Sequence, residues 1–177
     1  MAAPSVSPFE SIAGDLHARG WSVAPGFLGA AETALLRERA RKWWEGGEFD
    51  RAGVGRGRER RLLNELRGDL VRWLDLETDG RFRDLHDTWY EPLRVALNRQ
   101  LYLGLYELEA HVAVYPPGAF YVRHLDRFHD DPRRVVTVIL YLNESWSADD
   151  GGALRLYESR EDGPEAVHEV LPGAGTL

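Results

Sequence analysis

The hydrophobic period of the chain changes once, near Glu109, and that change limits the fold more than any other feature. Before it, apolar residues recur at helical spacing. Phe9, Ile12, Ala13 and Leu16 make one stripe that ends at Gly20, and Ala31, Leu35, Leu36, Ala40 and Trp43 make a second that ends near Gly46 and Gly47. Phe82, Leu85, Trp89, Leu93, Leu97 and Leu101 make a third, after the Thr78-Asp79-Gly80 turn. Beyond Glu109 the apolar residues fall in short extended runs, HVAVY, FYVRHLD, RVVTVILYLN, ALRLY and AVHEVLP, cut by Pro-Pro-Gly, Asp-Asp-Pro and Asp-Asp-Gly-Gly turns. Helices followed by closely spaced strands predict an α+β chain in which helices pack on an antiparallel sandwich or barrel. Trp21 to Val23 reads as a further brief strand. Arg51 to Arg61, rich in Gly and Arg with no apolar period, reads as an exposed loop.

With 177 residues, 44% of them hydrophobic, the chain is the size of one domain and carries enough apolar material for one core. A net charge of -7 argues against a nucleic-acid partner, because gripping a phosphate backbone needs a basic surface. There is no cysteine, so disulfides, thiolate metal sites and cysteine nucleophiles are excluded, and any metal must be held by His, Asp or Glu. The opening MAAPSVSP lacks the charged start and apolar run of a secretory signal, and no stretch reaches the length of a membrane span. A cytoplasmic protein with no membrane partner is expected. Nothing in the sequence sets the oligomeric state.

Chemistry is concentrated among the six histidines. In His124-Leu125-Asp126 an imidazole and a carboxylate stand two residues apart, so on an extended segment both project from one face. Two imidazoles and one carboxylate on one side of an octahedral metal leave three adjacent positions for a bidentate 2-oxo acid and dioxygen, the arrangement of non-haem iron(II) oxygenases. The His124 and Asp126 pair offers two of those three ligands. Read on its own, the same pair is a hydrogen-bonded surface contact more often than a metal site, and Tyr141 a core tyrosine with a satisfied hydroxyl.

The run from His111 to Tyr157 resembles, almost end to end, the core of the prolyl 4-hydroxylases, in particular the oxygen-sensing branch and its bacterial relatives. The matching elements are the Tyr115-Pro116-Pro117-Gly118 turn, Tyr121-Val122-Arg123-His124-Leu125-Asp126, the strand end Tyr141-Leu142-Asn143 and Gly151-Gly152-Ala153-Leu154-Arg155. Upstream, Arg67-Gly68-Asp69 followed by Trp73 also looks like that branch, so the resemblance covers Leu66 to Leu177.

The resemblance implies a jelly-roll, or double-stranded β-helix, core. It makes His124 and Asp126 iron(II) ligands, Tyr141 the hydroxyl on the distal carboxylate of 2-oxoglutarate, and Tyr115, Thr137 and Tyr121 further cofactor-pocket residues. Asp69 and Arg134 are implied near a proline-containing protein substrate or its mobile loop. The implied reaction hydroxylates a prolyl residue and releases succinate and carbon dioxide, with ascorbate as reductant. Two other functions stay open at this point: the same iron site acting on a small molecule or free amino acid, and a non-catalytic jelly-roll binding module.

The family pattern also needs a second histidine and a basic residue, usually Arg, that would lie past Leu177, so a C-terminally truncated chain without its closing strands is expected. His168, 42 residues after Asp126, is the one histidine that could stand in as third ligand from the later strands, although it reads as a strand residue. His129 offers a more local candidate. The expected layout is one oxygenase domain over 1–177, with 1–8 disordered, 9–105 mainly helical support and 106–177 an incomplete jelly-roll core.

Overall fold

The computed structural model describes residues 7–53, 65–75, 77–126, 134–157 and 166–177. Backbone proximity divides the chain into two interleaved units, Met1–Glu38 with Val138–Leu177 and Arg39–Thr137.

In the first unit, helix α1 spans Pro8–Arg19. It starts where the stripe predicts. Ser7 donates its N–H to the Glu10 carboxylate at 3.4 Å, and Pro8 sits in the first turn, where its missing N–H leaves no bond unmade. Ser7 and Pro8, expected in the disordered start, are thus the cap and first residue of this helix. Gly20 ends it in the left-handed region, its N–H closing on the Leu16 carbonyl at 3.0 Å. Helix α2, Ala30–Glu45, buries Thr33 and Leu36 in this unit beside Ile12, Ala13 and Leu28.

The brief strand expected at Trp21–Val23 does not form. The backbone there finds no ladder, and pairing begins one residue later, where Ala24 exchanges bonds with Leu177 at 2.8 and 3.2 Å. Leu28 donates to Gly175 at 3.0 Å, while Gly175 and Thr176 exchange bonds with Tyr141 at 2.9 Å. Residues 175–177 are therefore tied both to the 24–28 segment and to Tyr141. A short 3-10 turn, Ala148–Asp150, precedes strands β4, Leu154–Leu156, and β5, His168–Val170, which pair antiparallel with Leu156 opposite His168. The ALRLY and AVHEVLP runs thus form strands as expected.

The longest apolar run, RVVTVILYLN, gives no ladder strand. Among the described residues no strand pairs with it, and Val135, Val138 and Ile139 are 46%, 37% and 40% exposed. A strand is stabilised by a neighbour's N–H and C=O groups, so apolar composition alone does not make one.

The second unit holds a three-stranded antiparallel sheet in the order β1-β2-β3, with β1 at Asp50–Arg51, β2 at Leu70–Trp73 and β3 at His111–Val114. Leu70 faces Val114 and Trp73 faces His111. Arg51, expected in a loop, belongs to β1; residues 54–64 of that expected loop lie outside the described residues. The third stripe forms three helical pieces in succession: α3, Gly80–Leu85; a π turn, His86–Tyr90; and α4, Glu91–Leu101. Pro92 explains the π turn. Its ring would collide with the Thr88 carbonyl in a regular helix, and widening the preceding turn, so that the Glu91 N–H reaches His86, relieves that contact. Leu85, Leu93 and Leu97 stay buried across the break.

The helices meet this sheet at Arg72. Its guanidinium lies 3.8 Å from the Trp43 ring and pairs with Glu48 and buried Asp79, both at 3.0 Å, while Trp43 stacks on Phe82. The end of α2 and the start of α3 are thereby fixed to β2, as helices on an antiparallel sheet.

Two glycines test the packing with opposite signs. A Cβ on Gly175 would stand 2.3 Å from the Leu28 carbonyl oxygen, at φ +69°, so Gly175→Ala should cost on the order of 3 kcal/mol. Thermal unfolding should show a fall of roughly 10 °C. Gly14, inside α1 with open space around it, should give a gain of about 0.5–1 kcal/mol on Gly14→Ala. Equal melting temperatures for the two variants would contradict the packing described.

Candidate metal centre

Local turn chemistry delivers the HxD segment. Pro117 and Gly118 occupy the centre of a turn closed by the Ala119 N–H on the Pro116 carbonyl at 2.8 Å, and Gly118 takes φ +81°. Proline followed by a positive-φ glycine is the sequence of a type II turn. The chain leaving it runs against residues 66–68. Phe120 accepts from the Gly68 N–H and Val122 donates to Leu66, both at 2.9 Å, with Tyr121 bridged to Arg67. FYVRHLD is therefore an extended segment held by one bridge, not the ladder strand expected.

His124 Nε2 lies 3.1 Å from Asp126 Oδ1, and His124 Nδ1 lies 2.7 Å from the Val122 carbonyl. A carbonyl only accepts, so Nδ1 carries the hydrogen and donates. In the neutral ring Nε2 is then a lone pair aimed at a carboxylate lone pair, which is repulsive. The arrangement needs positive charge between the two atoms, supplied either by a proton on Nε2 or by a metal ion. Two donors each about 2.1 Å from an octahedral metal and at right angles to one another stand about 3 Å apart, the separation found. The pair fits a divalent metal.

Electrostatics follow the same geometry. The hydrogen bond from His124 holds the Asp126 carboxyl down at about 2, against the opposing effect of burial, with help from Thr137. The same bond raises His124 above the ordinary imidazole range. Thr137 Oγ1 donates to Asp126 Oδ2 at 2.6 Å, so this hydroxyl, expected in the cofactor pocket, orients the carboxylate.

Around the pair the second unit gathers Tyr121, Arg67, Asp69, Tyr115 and Arg134. The Tyr121 ring stacks on His124 with centroids 3.5 Å apart and planes 16° from parallel. The Arg67 guanidinium stands 4.1 Å from the Tyr121 centroid and forks onto Asp69 at 2.7 and 2.6 Å. Asp69 is fully buried in that pair, so its carboxylate is engaged inside the protein. Arg134 pairs with Glu109 at 3.0 Å. Tyr115, half-exposed, lies within electrostatic reach of Arg67. Burial pushes the Tyr121 phenol up, so it stays protonated.

Tyr141 and His168 belong to the first unit. Tyr141 is held by its bonds to Gly175 and Thr176, and burial raises its phenol. His168 is the strand residue its context predicts, stacked on Trp21 at 4.2 Å. His129 lies outside the described residues. Among the described residues no three His, Asp, Glu or Cys side chains cluster to hold a metal. Arg67 escaped sequence reasoning, although the signal was there: Arg67 and Asp69 stand two apart, as His124 and Asp126 do.

Comparison with known proteins bears on the site. The 2OG-Fe(II) oxygenase superfamily matches residues 110–177. Prolyl hydroxylase EGLN3 of Rattus norvegicus is 30% identical over 169 residues, covering 92% of this chain and 69% of the rat protein. The hypoxia-inducible factor prolyl hydroxylase of Caenorhabditis elegans is 29% identical over 161 residues, and there the chain spans 22% of the relative's length. A crystal structure of a Pseudomonas putida prolyl-4-hydroxylase matches with a TM-score of 0.81 and 37% identity, covering 96% of this chain and 84% of that one. A Trichoplax adhaerens prolyl hydroxylase in complex with a hypoxia inducible factor peptide fragment matches with a TM-score of 0.74 at 22% identity and bears on the fold alone. The antiparallel α+β architecture is thus the double-stranded β-helix fold of solved prolyl hydroxylases.

The pH dependence of the metal-free protein follows from the two shifts. His124, raised, contributes stability that is complete below the ordinary imidazole pKa of about 6.5 and is lost as pH rises through its folded value. Asp126, lowered to about 2, contributes stability present above the ordinary carboxylate value and lost as pH falls towards 2. The pair therefore stabilises most between about pH 4 and 6.5. Thermal unfolding from pH 3 to 9 should show this window in the unaltered protein and a flatter profile in Asp126→Asn. Identical profiles would mean that the ion pair is not formed.

Proposed function

Because the chain belongs to the prolyl hydroxylases of the 2-oxoglutarate- and iron(II)-dependent oxygenases, we propose that it hydroxylates a prolyl residue of a protein, consuming 2-oxoglutarate and dioxygen and releasing succinate and carbon dioxide. The family's cofactors are iron(II) and 2-oxoglutarate, and ascorbate is the reductant that fits them. The observation that carries this reading is the His124 and Asp126 pair, two acceptors 3.1 Å apart that call for a cation between them.

In this scheme His124 Nε2 and one oxygen of Asp126 hold the metal. Iron(II) with 2-oxoglutarate supplies the oxidising power, one oxygen atom of dioxygen entering the prolyl C–H bond and the other entering succinate. The chain's own residues do the rest. Val122 fixes the imidazole tautomer, so that Nε2 and not Nδ1 faces the metal. Thr137 occupies the second carboxylate oxygen of Asp126, which leaves Oδ1 for the metal. Tyr121 supplies a ring face beside the pair and a phenol that burial keeps protonated, suited to a 2-oxo acid. A net charge of -7 favours a protein substrate over a nucleic acid.

The test loads the protein with iron(II), 2-oxoglutarate and ascorbate and offers a library of proline-containing peptides alongside free proline. A one-oxygen mass increase located on a prolyl residue, with stoichiometric succinate, is the expected result. It should fall at least 100-fold in His124→Ala and in Asp126→Ala. Oxidation of free proline alone would move the site to small-molecule chemistry, and iron binding without succinate would move it to a binding module.

A further inference from the structure

We propose that Arg67 is a positioning residue for the metal centre, acting on His124 through the ring of Tyr121; this rests on His124 being a metal ligand. Bonds from Nδ1 to the Val122 carbonyl and from Nε2 to Asp126 hold the imidazole at its two nitrogens and leave it free to tilt about the line between them. The stack on Tyr121, 3.5 Å between centroids and 16° between planes, removes the tilt. Tyr121 needs a support of its own, and the Arg67 guanidinium provides it 4.1 Å from the ring centroid.

Arg67 is itself locked. Its fork onto Asp69 at 2.7 and 2.6 Å sets the guanidinium plane, and a third contact runs to the Gly53 carbonyl at 3.5 Å. Asp69 is fully buried, so the pair cannot open without leaving a carboxylate unsatisfied out of water. Backbone bonds on either side, Gly68 to Phe120 and Val122 to Leu66, keep the Arg67 and Tyr121 positions in register. Close approach is possible because residue 68 has no side chain; a Cβ there would stand 3.4 Å from that of Ala119. The series Asp69, Arg67, Tyr121, His124, Asp126, Thr137 is continuous, each member touching the next.

Removing Arg67 alone would strand Asp69 and risk unfolding, so the test replaces both partners, Arg67→Met with Asp69→Leu, which substitutes apolar volume for the buried pair. The full chain is studied free of metal by imidazole proton–nitrogen NMR, then titrated with zinc(II), which is diamagnetic and reports on the same signals. In the unaltered protein His124 should show sharp signals of an imidazolium hydrogen-bonded at both nitrogens without metal, and of one tautomer, protonated on Nδ1, once zinc(II) is bound. In the double variant, with the remaining backbone spectrum unchanged, the His124 signals should broaden, and zinc affinity should fall about 10- to 100-fold. Tyr121→Phe keeps the stack and should retain the His124 signals; Tyr121→Leu should lose them. A folded double variant with His124 signals and zinc affinity unchanged overturns the proposal. Zinc that leaves His124 untouched in the unaltered protein instead sinks the ligand assignment, while the metal-free spectra still decide the role of Arg67.

Discussion

The Val122 carbonyl decides more about this protein than its size suggests. By accepting the Nδ1 hydrogen of His124 it turns Nε2 into an acceptor, and the backbone then aims that acceptor at a carboxylate 3.1 Å away. Two acceptors face to face are tolerable only with a cation between them. Without metal the proton fills that place, which is why the imidazole is raised and the carboxyl lowered; a divalent metal held there would take the same two atoms. A metal taken up at this pair would have to displace that proton.

Buried charge is handled in the same way at two places in the second unit. Asp69 and Asp79 are both withdrawn from water, and each is engaged by one arginine that also lies over an aromatic ring, Arg67 over Tyr121 and Arg72 over Trp43. One assembly faces the His124 segment; the other fastens helices to the sheet. Arginine suits both because its planar fork satisfies a carboxylate while its face stacks on a ring, which a lysine ammonium cannot do. The cost of burying these charges is offset only when both partners are present, so each assembly stands or fails as a unit.

Much of this was legible in the residues. The stripes gave α1 and α2 nearly to the residue, because each carries its own stop signal at Gly20 or at Gly46 and Gly47. The Pro117-Gly118 turn and the two-residue spacing of His124 and Asp126 are local facts, and the structure keeps both. Strands were harder to place. RVVTVILYLN has the strongest strand composition in the chain yet forms no ladder among the described residues, whereas the unremarkable Asp50–Arg51 pairs with β2. Strand formation depends on what lies alongside, and no period in one segment records its neighbour. The third helix shows a local signal that went unused: Pro92 marks the π turn, and the apolar stripe runs through it without a break.

By itself the sequence determined which residues can ligate a metal, since with no cysteine the chemistry falls to a few histidines and carboxylates, and it determined that His124 and Asp126 share a face. It also determined the family, because the motifs are contiguous and their spacing is covalent. Tertiary structure decided the rest. It fixed the hydrogen of His124 on Nδ1, bonded Thr137 to Asp126, paired Asp69 with Arg67 and set Arg67 over Tyr121. Each of these is a contact between side chains or backbone atoms that folding brings together, at a distance and an angle. Sequence spacing carries distance only along an extended or helical segment, so relations across segments became definite only when the chain closed on itself.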